Sequence, residues 1–224
     1  MRGLLAGCLV AGTLGLGAGV AQAGPISTSF VSGTGGGDQV AHSRVRGWST
    51  GWEAATGEEV GVPGHPNSSW NWTPANRTQS FVWDFSGGVS TLTINGRSMI
   101  ESALFNGVTD LYLQLRATDY RGTAGYLDAT DLELTTDGET TVLPDLSAAS
   151  GWSGLLKISG LDGLGTSFRL EGVLSGNFDE IKEERIKIEM KAYYDPSVDS
   201  SVPSPGTAVL GGAGVGFLLL RRGV

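Results

Sequence analysis

Strict two-residue alternation of apolar and polar side chains is the feature that most constrains this sequence. In its last charged segment the apolar positions are Ile186, Ile188, Met190, Ala192 and Tyr194. The positions between them are Lys187, Glu189, Lys191 and Tyr193. Successive side chains of a β-strand point to opposite faces, whereas an α-helix repeats every 3.6 residues. The pattern therefore predicts a closing strand, preceded by a single helical turn at residues 179–184.

The same period recurs along much of the chain. Leu111, Leu113 and Leu115 form one apolar row, and the dipeptide Asn95-Gly96 favours a tight hairpin between two short strands. Further predicted strands cover residues 80–85, 89–94, 97–101, 132–136, 140–143, 155–159 and 168–174. The pattern predicts an all-β fold, an antiparallel β-sandwich of jelly-roll or concanavalin-like type. The only helices expected are an N-terminal signal helix and a short C-terminal hydrophobic helix.

The C-terminal segment, residues 202–224, has the sequence of features expected of a tail that holds an exported protein in a membrane. Val202, Pro203, Ser204 and Pro205 end the folded part, because proline cannot continue a helix. A glycine-rich apolar run, 206–220, follows, and Arg221 and Arg222 stop it. As a helix this run reaches roughly 22 Å, while a hydrocarbon core is about 30 Å thick. It therefore predicts transient membrane insertion, with both arginines on the cytoplasmic side.

This layout resembles the PEP-CTERM sorting signal, also known as the ice-binding protein C-terminal domain. The usual Val-Pro-Glu-Pro is Val-Pro-Ser-Pro at residues 202–205, and the basic cluster is only Arg221-Arg222, shorter than the family's arginine run. The resemblance implies processing by an exosortase-type transpeptidase in a bacterium that makes extracellular polysaccharide. A generic tail anchor is the alternative.

The N-terminus predicts export. Arg2 supplies a positive start, an apolar stretch follows, and Ala21-Gln22-Ala23 fits the small-residue site that signal peptidase cleaves. The predicted organisation is a signal peptide at 1–23, a β-sandwich ectodomain at 24–194, a polar linker at 195–201 and the sorting tail at 202–224. Cys8 also fits the lipobox of a lipoprotein, but the apolar region between Arg2 and this cysteine is too short for a signal peptide.

Charge and cysteine content exclude several classes of function. Cys8 leaves with the signal, so the mature chain has no thiol for a disulfide or a thiolate metal site. Loss of Arg2, Arg221 and Arg222 lowers the basic count from 15 to 12 against 23 acidic residues, a net charge of −11. A chain this acidic is expected to repel nucleic acid and anionic polymers.

The block at residues 81–136 resembles the choice-of-anchor domains, which are β-sandwich ectodomains joined to sorting tails of this kind. The resemblance lies in Val-Ser-Thr-Leu-Thr-Ile-Asn-Gly at 89–96, Asp-Leu-Tyr-Leu-Gln-Leu-Arg-Ala at 110–117 and Asp-Leu-Glu-Leu at 131–134. It implies a fold and an extracellular setting, and it brings no catalytic residues.

Motifs that carry chemistry are few. Gly47-Trp48-Ser49-Thr50-Gly51 matches the nucleophile elbow of serine hydrolases, which needs a strand-to-helix turn that the sequence does not predict. We interpret it as a strand end between glycines. His42 and His65 lack metal-ligand spacing and are expected to lie in solvent-exposed loops.

The acidic residues near position 131 allow two kinds of site. Asp131 and Glu133 could form the carboxylate pair of a glycoside hydrolase, but Leu132 and Leu134 favour the interpretation that the acids mark a solvent-facing strand surface. No cofactor is predicted. A calcium ion remains the alternative, held by Asp128, Asp131, Asp137 and Glu139.

The tryptophans are the remaining binding candidates. Tryptophan rings can stack on the apolar faces of sugars. The segment 67–78 mixes such rings with amides and hydroxyls, and its candidate glycan contacts are Trp70, Asn71, Trp72 and Asn76. An aromatic loop that merely pins itself to the sandwich explains the same composition.

Taken together, the sequence predicts an exported, non-enzymatic protein of the cell surface or extracellular matrix, with a structural or adhesive role. Its expected partners are signal peptidase, an exosortase-type transpeptidase and extracellular polysaccharide, and not nucleic acid. The first alternative is a carbohydrate-binding module that uses the Trp70 and Trp72 region. The second is a glycoside hydrolase.

Overall fold

The computed structural model describes residues 25–48, 51–58, 67–70, 73–102, 107–178, 180–181 and 184–197. The predicted signal helix and the predicted C-terminal helix lie outside these residues. No helix in the described part of the chain is long and apolar enough to cross a membrane.

Within these residues, strands make up nearly all of the regular structure, with one short 3-10 helix at Pro74–Asn76. The strands are β1 (Ser27–Val31), β2 (Asp38–Trp48), β3 (Gly51–Gly57), β4 (Asn67–Trp70), β5 (Thr78–Ser86), β6 (Val89–Ile94), β7 (Arg97–Ser102), β8 (Gly107–Ala117), β9 (Tyr126–Thr136), β10 (Glu139–Val142), β11 (Leu146–Ala149), β12 (Gly151–Trp152), β13 (Leu155–Leu164), β14 (Phe168–Gly176) and β15 (Ile186–Tyr194).

These strands form two antiparallel sheets. Sheet A has the order β1-β13-β8-β15-β2-β3-β4, and β12 pairs with β8. Sheet B has the order β10-β9-β14-β5-β6-β7, and β11 pairs with β9. The pairs β2 with β15, β5 with β14, β8 with β13 and β9 with β11 are nested along the chain. Successive pairs in this nest alternate between sheet A and sheet B.

One hydrophobic core lies between the two sheets, an arrangement consistent with a β-sandwich. Sheet A contributes the alternate residues of β15, from Ile186 to Ala192, and sheet B contributes Trp83 and Phe168. The ring of Trp83 meets that of Phe168 edge-on, with centroids 4.9 Å apart. Alternation along each strand thus places one face in the core and the other outside, as the sequence pattern predicts.

Several predicted elements are confirmed. The predicted closing strand coincides with β15, and the predicted strand at 89–94 coincides with β6. Asn95 and Gly96 have φ angles of 51° and 67° and join β6 to β7. Positive φ at both central residues is what a tight type I′ hairpin requires, so the predicted hairpin is confirmed.

Two details differ from the prediction. From Gly107 to Leu113, β8 is buried on both faces, because Tyr112 and Asp110, on its outward side, are covered by neighbouring groups. The turn before β15 starts two residues earlier than expected: the amides of Glu180 and Ile181 both donate to the carbonyl of Asn177. The rest of the predicted helical turn, residues 179, 182 and 183, lies outside the described part.

Candidate binding face

The predicted glycan contacts are only partly within the described residues. Trp70 ends β4, the edge strand of sheet A, and its backbone is the partner of Trp52 in β3. Asn76 ends the 3-10 helix. Asn71 and Trp72 lie outside the described residues, as do the predicted signal-cleavage and sorting residues Ala21, Ala23, Val202, Pro203, Ser204, Pro205, Arg221 and Arg222.

The Gly47–Gly51 motif belongs to an antiparallel hairpin. β2 ends at Trp48 and β3 begins at Gly51, and these two residues are cross-strand partners. A strand therefore follows the motif, where a nucleophile elbow would need a helix. Ser49 itself lies outside the described residues.

The expectation that His42 lies in a solvent-exposed loop is wrong. His42 lies in the middle of β2 and is buried, with 5 % of its surface exposed. Burial, followed by the positive charges of Lys191, Arg44 and Lys187, lowers its pKa from 6.5 to about 3. The imidazole is therefore neutral at physiological pH. His65 lies outside the described residues.

The acidic residues of β9 lie on the outer face of sheet B, as predicted. Asp131 is exposed and Glu133 half-buried, while Leu132 and Leu134 are in the core. Together with Glu171 of β14, the cross-strand partner of Glu133, these acids line a shallow depression of about 360 Å³. Arg169 neutralises Glu171 through a 2.8 Å contact, Nε to Oε2.

The calcium alternative finds no assembled site in the described part of the chain. There, no three residues of the types His, Cys, Asp and Glu come together in a way that could hold a metal ion. The four carboxylates proposed for calcium are spread along β9, the turn that follows it and the first position of β10.

The outer face of sheet A carries a concentration of charge that no single segment of the sequence reveals. The strand register aligns one row across five strands: Trp152 (β12), Arg116 (β8), Lys187 (β15), Arg46 (β2) and Glu53 (β3). A second row aligns Gln114, Glu189 and Arg44, and a third aligns Lys157, Tyr112, Lys191 and His42. Paired residues in adjacent strands point to the same face, so these rows form one surface.

The charges of this surface differ in sign from those of the whole protein. Six of the 15 Lys and Arg residues face outward here: Arg44, Arg46, Arg116, Lys157, Lys187 and Lys191. The acidic side chains that contact them in the described residues are Glu53, Asp110, Glu184 and Glu189. The surface is therefore locally cationic, on a chain whose formal net charge is −8.

The half of this surface over β2 and β3 is a buried ion network. Glu53 contacts both arginines of β2, at 3.4 Å from Arg44 and 3.0 Å from Arg46. Arg46 also pairs with Glu184. The Arg44 and Arg46 side chains are only 10 % and 13 % exposed, so the charges of this half are largely covered and are paired with one another.

The half over β8, β12 and β15 is more open at Trp152 and Lys157, while the Lys187 side chain is only 14 % exposed. Trp152 is 48 % exposed, and its ring lies 5.0 Å from both the Arg116 guanidinium carbon and the Lys187 ammonium. Lys187 also contacts Glu189 at 3.0 Å. Within the described residues no carboxylate pairs with Arg116 or Lys191. We call the group Arg116, Gln114, Lys157, Lys187, Lys191 and Trp152 the cationic strip.

One end of the cationic strip is fixed by hydrogen bonds. Lys157 contacts Asp110 at 3.1 Å, and the Ser159 hydroxyl donates to the same carboxylate at 2.6 Å. Burial lowers the pKa of Lys157, but the hydrogen bond and charge of Asp110, together with Tyr112, raise it, and the net shift is upward. The amide of Gly35 donates to the Tyr112 hydroxyl at 2.8 Å.

Sequence reasoning missed the cationic strip because its members come from distant segments. The one available signal was the set of polar residues that alternate with apolar ones in two predicted strands. These residues are Gln114 and Arg116 in one strand and Lys187 and Lys191 in the other. The pairing of β8 with β15 brings these polar residues together on one face of the sheet. No family model and no curated protein matches this chain.

Proposed function

We propose that this protein is exported, sorted to the cell surface or extracellular matrix by its C-terminal tail, and structural or adhesive in role, without catalysis. Its terminal sequences support export and sorting by signal peptidase and an exosortase-type transpeptidase. The strands β1 to β15 span residues 27–194, which fits a folded ectodomain between those two signals.

The proposal includes the jelly-roll class of sandwich for the ectodomain. In a jelly roll the chain winds as a long hairpin, so that strand pairs are nested and alternate between two sheets. The four nested pairs, β2 with β15, β5 with β14, β8 with β13 and β9 with β11, support this assignment over the concanavalin-like alternative.

The observation that carries the adhesive role is the outer face of sheet A. Aromatic and cationic side chains stand there in register on neighbouring strands, over a broad surface and not in a deep cleft. Such a surface suits an extended polymer, because a long ligand can contact several strands at once. Extracellular polysaccharide is the proposed partner.

The sorting proposal is tested by the intact mass of the native protein, recovered separately from cells and medium. We expect a species that begins at Gly24 and ends near Pro205. A variant with Arg221→Gln and Arg222→Gln should leave the membrane fraction and keep its tail, while Arg121→Gln, which also removes a positive charge, should be processed normally. Native protein that keeps residues 206–224 and stays in the membrane would contradict the proposal.

A second candidate is a carbohydrate-binding module that uses Trp70, Asn71, Trp72 and Asn76. It is favoured by the pairing of β4 with β3, which brings the backbones of Trp70 and Trp52 together at the sheet edge. Neutral soluble glucans should then quench tryptophan fluorescence, and Trp70→Ala with Trp72→Ala should abolish the effect while Trp152→Ala retains it. Absence of quenching by any neutral glycan rules against this candidate.

A further inference from the structure

The cationic strip contains an unfavourable arrangement of charge. Arg116, Lys187 and Arg46 are direct cross-strand neighbours in one row. Like charges directly opposite each other destabilise a sheet. Arg46 and Lys187 have carboxylate partners, Glu53 and Glu189. Arg116 has none in the described part of the chain, and only the Trp152 ring faces its charge.

Lys191 repeats this situation further along the same strands. It lies between Tyr112 and His42 in the register, and in the described part of the chain it has no carboxylate within contact distance. Two cations without carboxylate partners thus stand at the two ends of the strip, on adjacent strands. The Trp152 ring offsets part of the repulsion at Arg116, but no carboxylate of the described residues pairs with Arg116 or Lys191. Charges with so little compensation inside the fold are a feature of binding sites, where a ligand supplies it.

We propose that the cationic strip binds an acidic polysaccharide, whose carboxylate or sulfate groups meet Arg116, Lys187 and Lys191. The proposal makes the adhesive function above more specific. It rests on that function, because the protein meets the polysaccharide only at the cell surface or in the extracellular matrix. An anion between Arg116 and Lys187 would turn their repulsion into two favourable contacts. Arginine suits this task because its planar guanidinium can donate two hydrogen bonds to one carboxylate.

The spacing and composition of the strip fit a sugar chain. Adjacent strands lie about 4.8 Å apart, and alternate residues of one strand about 7 Å apart. Sugar rings joined in an extended chain repeat on the same scale, so charged groups of one chain can reach successive rows. The half-exposed ring of Trp152 offers an apolar surface for a sugar face, and the amide of Gln114 can bond to hydroxyls.

Charge density favours a polysaccharide over nucleic acid. Duplex DNA carries one charge per about 1.7 Å of axis, whereas a uronic acid polymer such as polygalacturonate carries one carboxylate per sugar ring. The protein outside this strip is acidic, and its repulsion grows with the charge density of the ligand. The strip itself acts within a Debye length, about 8 Å at physiological ionic strength. A moderately charged polymer gains from the strip while meeting less repulsion.

The test measures binding of the purified mature chain to polygalacturonate by affinity electrophoresis. The matched probe is the same polymer with its carboxylates reduced to neutral alcohols. The test variant is Arg116→Gln with Lys191→Gln, which removes two charges without leaving a carboxylate unpaired. The control variant, Arg97→Gln with Arg121→Gln, removes two exposed charges outside the strip and lowers the net charge equally.

We expect the test variant to bind polygalacturonate at least tenfold more weakly and the control variant to bind within about twofold of wild type. The reduced polymer should bind weakly to all three proteins, and added salt should weaken wild-type binding. Urea midpoints and near-ultraviolet circular dichroism establish that both variants are folded.

Four results would overturn the proposal. Equal loss in both variants would make net charge, and not the strip, the cause. Equal binding of the reduced polymer would remove the role of the anion, and equal binding of duplex DNA would make the strip a general polyanion surface. Failure of wild type to bind polygalacturonate also overturns it. The export proposal would still stand if the intact mass shows both ends processed.

Discussion

Arg116 and Lys187 lie directly opposite each other on β8 and β15, and both place their charges 5.0 Å from the centre of the Trp152 ring. The electron-rich face of an indole attracts cations, so the ring offsets part of the repulsion between them. A half-exposed tryptophan on a two-residue strand would otherwise contribute little to stability. Here it faces both members of a like-charge pair.

Trp152→Ala is therefore expected to destabilise the protein by about 1–2 kcal/mol, more than loss of a half-exposed ring alone would cost. Arg116→Gln should recover part of this loss in the Trp152→Ala background, because it removes the repulsion that the ring offsets. Urea unfolding of the wild type, both single variants and the double variant measures this coupling.

Phe30→Ala is the control for that cycle, since Phe30 is a more exposed ring, at 61 %, on β1 of the same sheet. Combined with Arg116→Gln, it should show additive effects within about 0.5 kcal/mol. Additivity of Trp152→Ala and Arg116→Gln would show that the ring does not couple to the charge.

His42 predicts a loss of stability in acid. Its folded pKa of about 3 lies below the 6.5 of an unperturbed histidine, so the unfolded chain binds the proton more readily. The stability that comes from keeping the buried imidazole neutral is fully present above pH 6.5, and it is lost as the pH falls toward 3. Its steepest slope is ~1.4 kcal/mol per pH unit. Urea unfolding between pH 3 and 7 measures it.

His42→Gln should remove this slope while leaving the dependence due to carboxylates. Lys191→Gln should raise the pKa of His42, because the positive charge of Lys191 is one of the causes that lower it. The carbon-bound ring protons report this pKa by nuclear magnetic resonance. A His42 resonance that titrates near pH 6.5 in the folded wild type would contradict the burial of this side chain.

The strands with large alternating side chains could be predicted from the sequence, and those with small ones could not. β15 and β6 were predicted with their exact ends because Ile, Leu and Met mark one face clearly. β2 escaped prediction because its core face contains Ala41 and Ser43. Ser43 reaches the core as half of a hydroxyl pair with Thr56, which no apolar period reveals.

The candidate site was beyond single-sequence reasoning for a related reason. Local patterns determine which face of a strand is polar, but the register between β8 and β15 determines that Arg116 meets Lys187. That register depends on packing of the whole sheet. Net charge was misleading for the same reason, since it averages over surfaces that differ in sign.

A chain of buried hydroxyls joins the two sheets. The hydroxyl oxygens of Ser43 and Thr56, both in sheet A, lie 2.6 Å apart. The Thr56 hydroxyl oxygen also lies 2.6 Å from that of Ser90 in sheet B. The indole nitrogen of Trp83 donates to the Ser90 hydroxyl at 2.9 Å. Ser90→Ala should cost about 2–3 kcal/mol, because it leaves buried polar groups of Trp83 and Thr56 without this partner.

The matched control is Ser98→Ala, which breaks an exposed hydroxyl pair with Thr93 of 2.8 Å in the same sheet. It should cost less than about 0.5 kcal/mol, because water replaces the lost partner. The difference in unfolding free energy between the two variants measures the buried network. Equal costs would show that the interior chain contributes no more than a surface pair.

Gly172 accommodates an irregularity between β14 and β9. The register shifts there, so that this one residue faces Asp131 and Leu132 together, and Asp131 adopts a positive φ of 50°. A Cβ on Gly172 would lie 2.7 Å from a Leu132 methyl and 3.0 Å from the Thr130 carbonyl oxygen. Gly172→Ala is thus expected to destabilise the protein by about 2–3 kcal/mol through overpacking.

Gly33→Ala provides the comparison, because no atom lies within 4 Å of the Cβ that it would add. This variant should be neutral, or more stable by up to about 1 kcal/mol, since alanine restricts the unfolded chain. Thermal unfolding of both variants, followed by circular dichroism, distinguishes the two effects. If Gly172→Ala were as stable as Gly33→Ala, β14 would have to approach β9 less closely than the bulge at Asp131 implies.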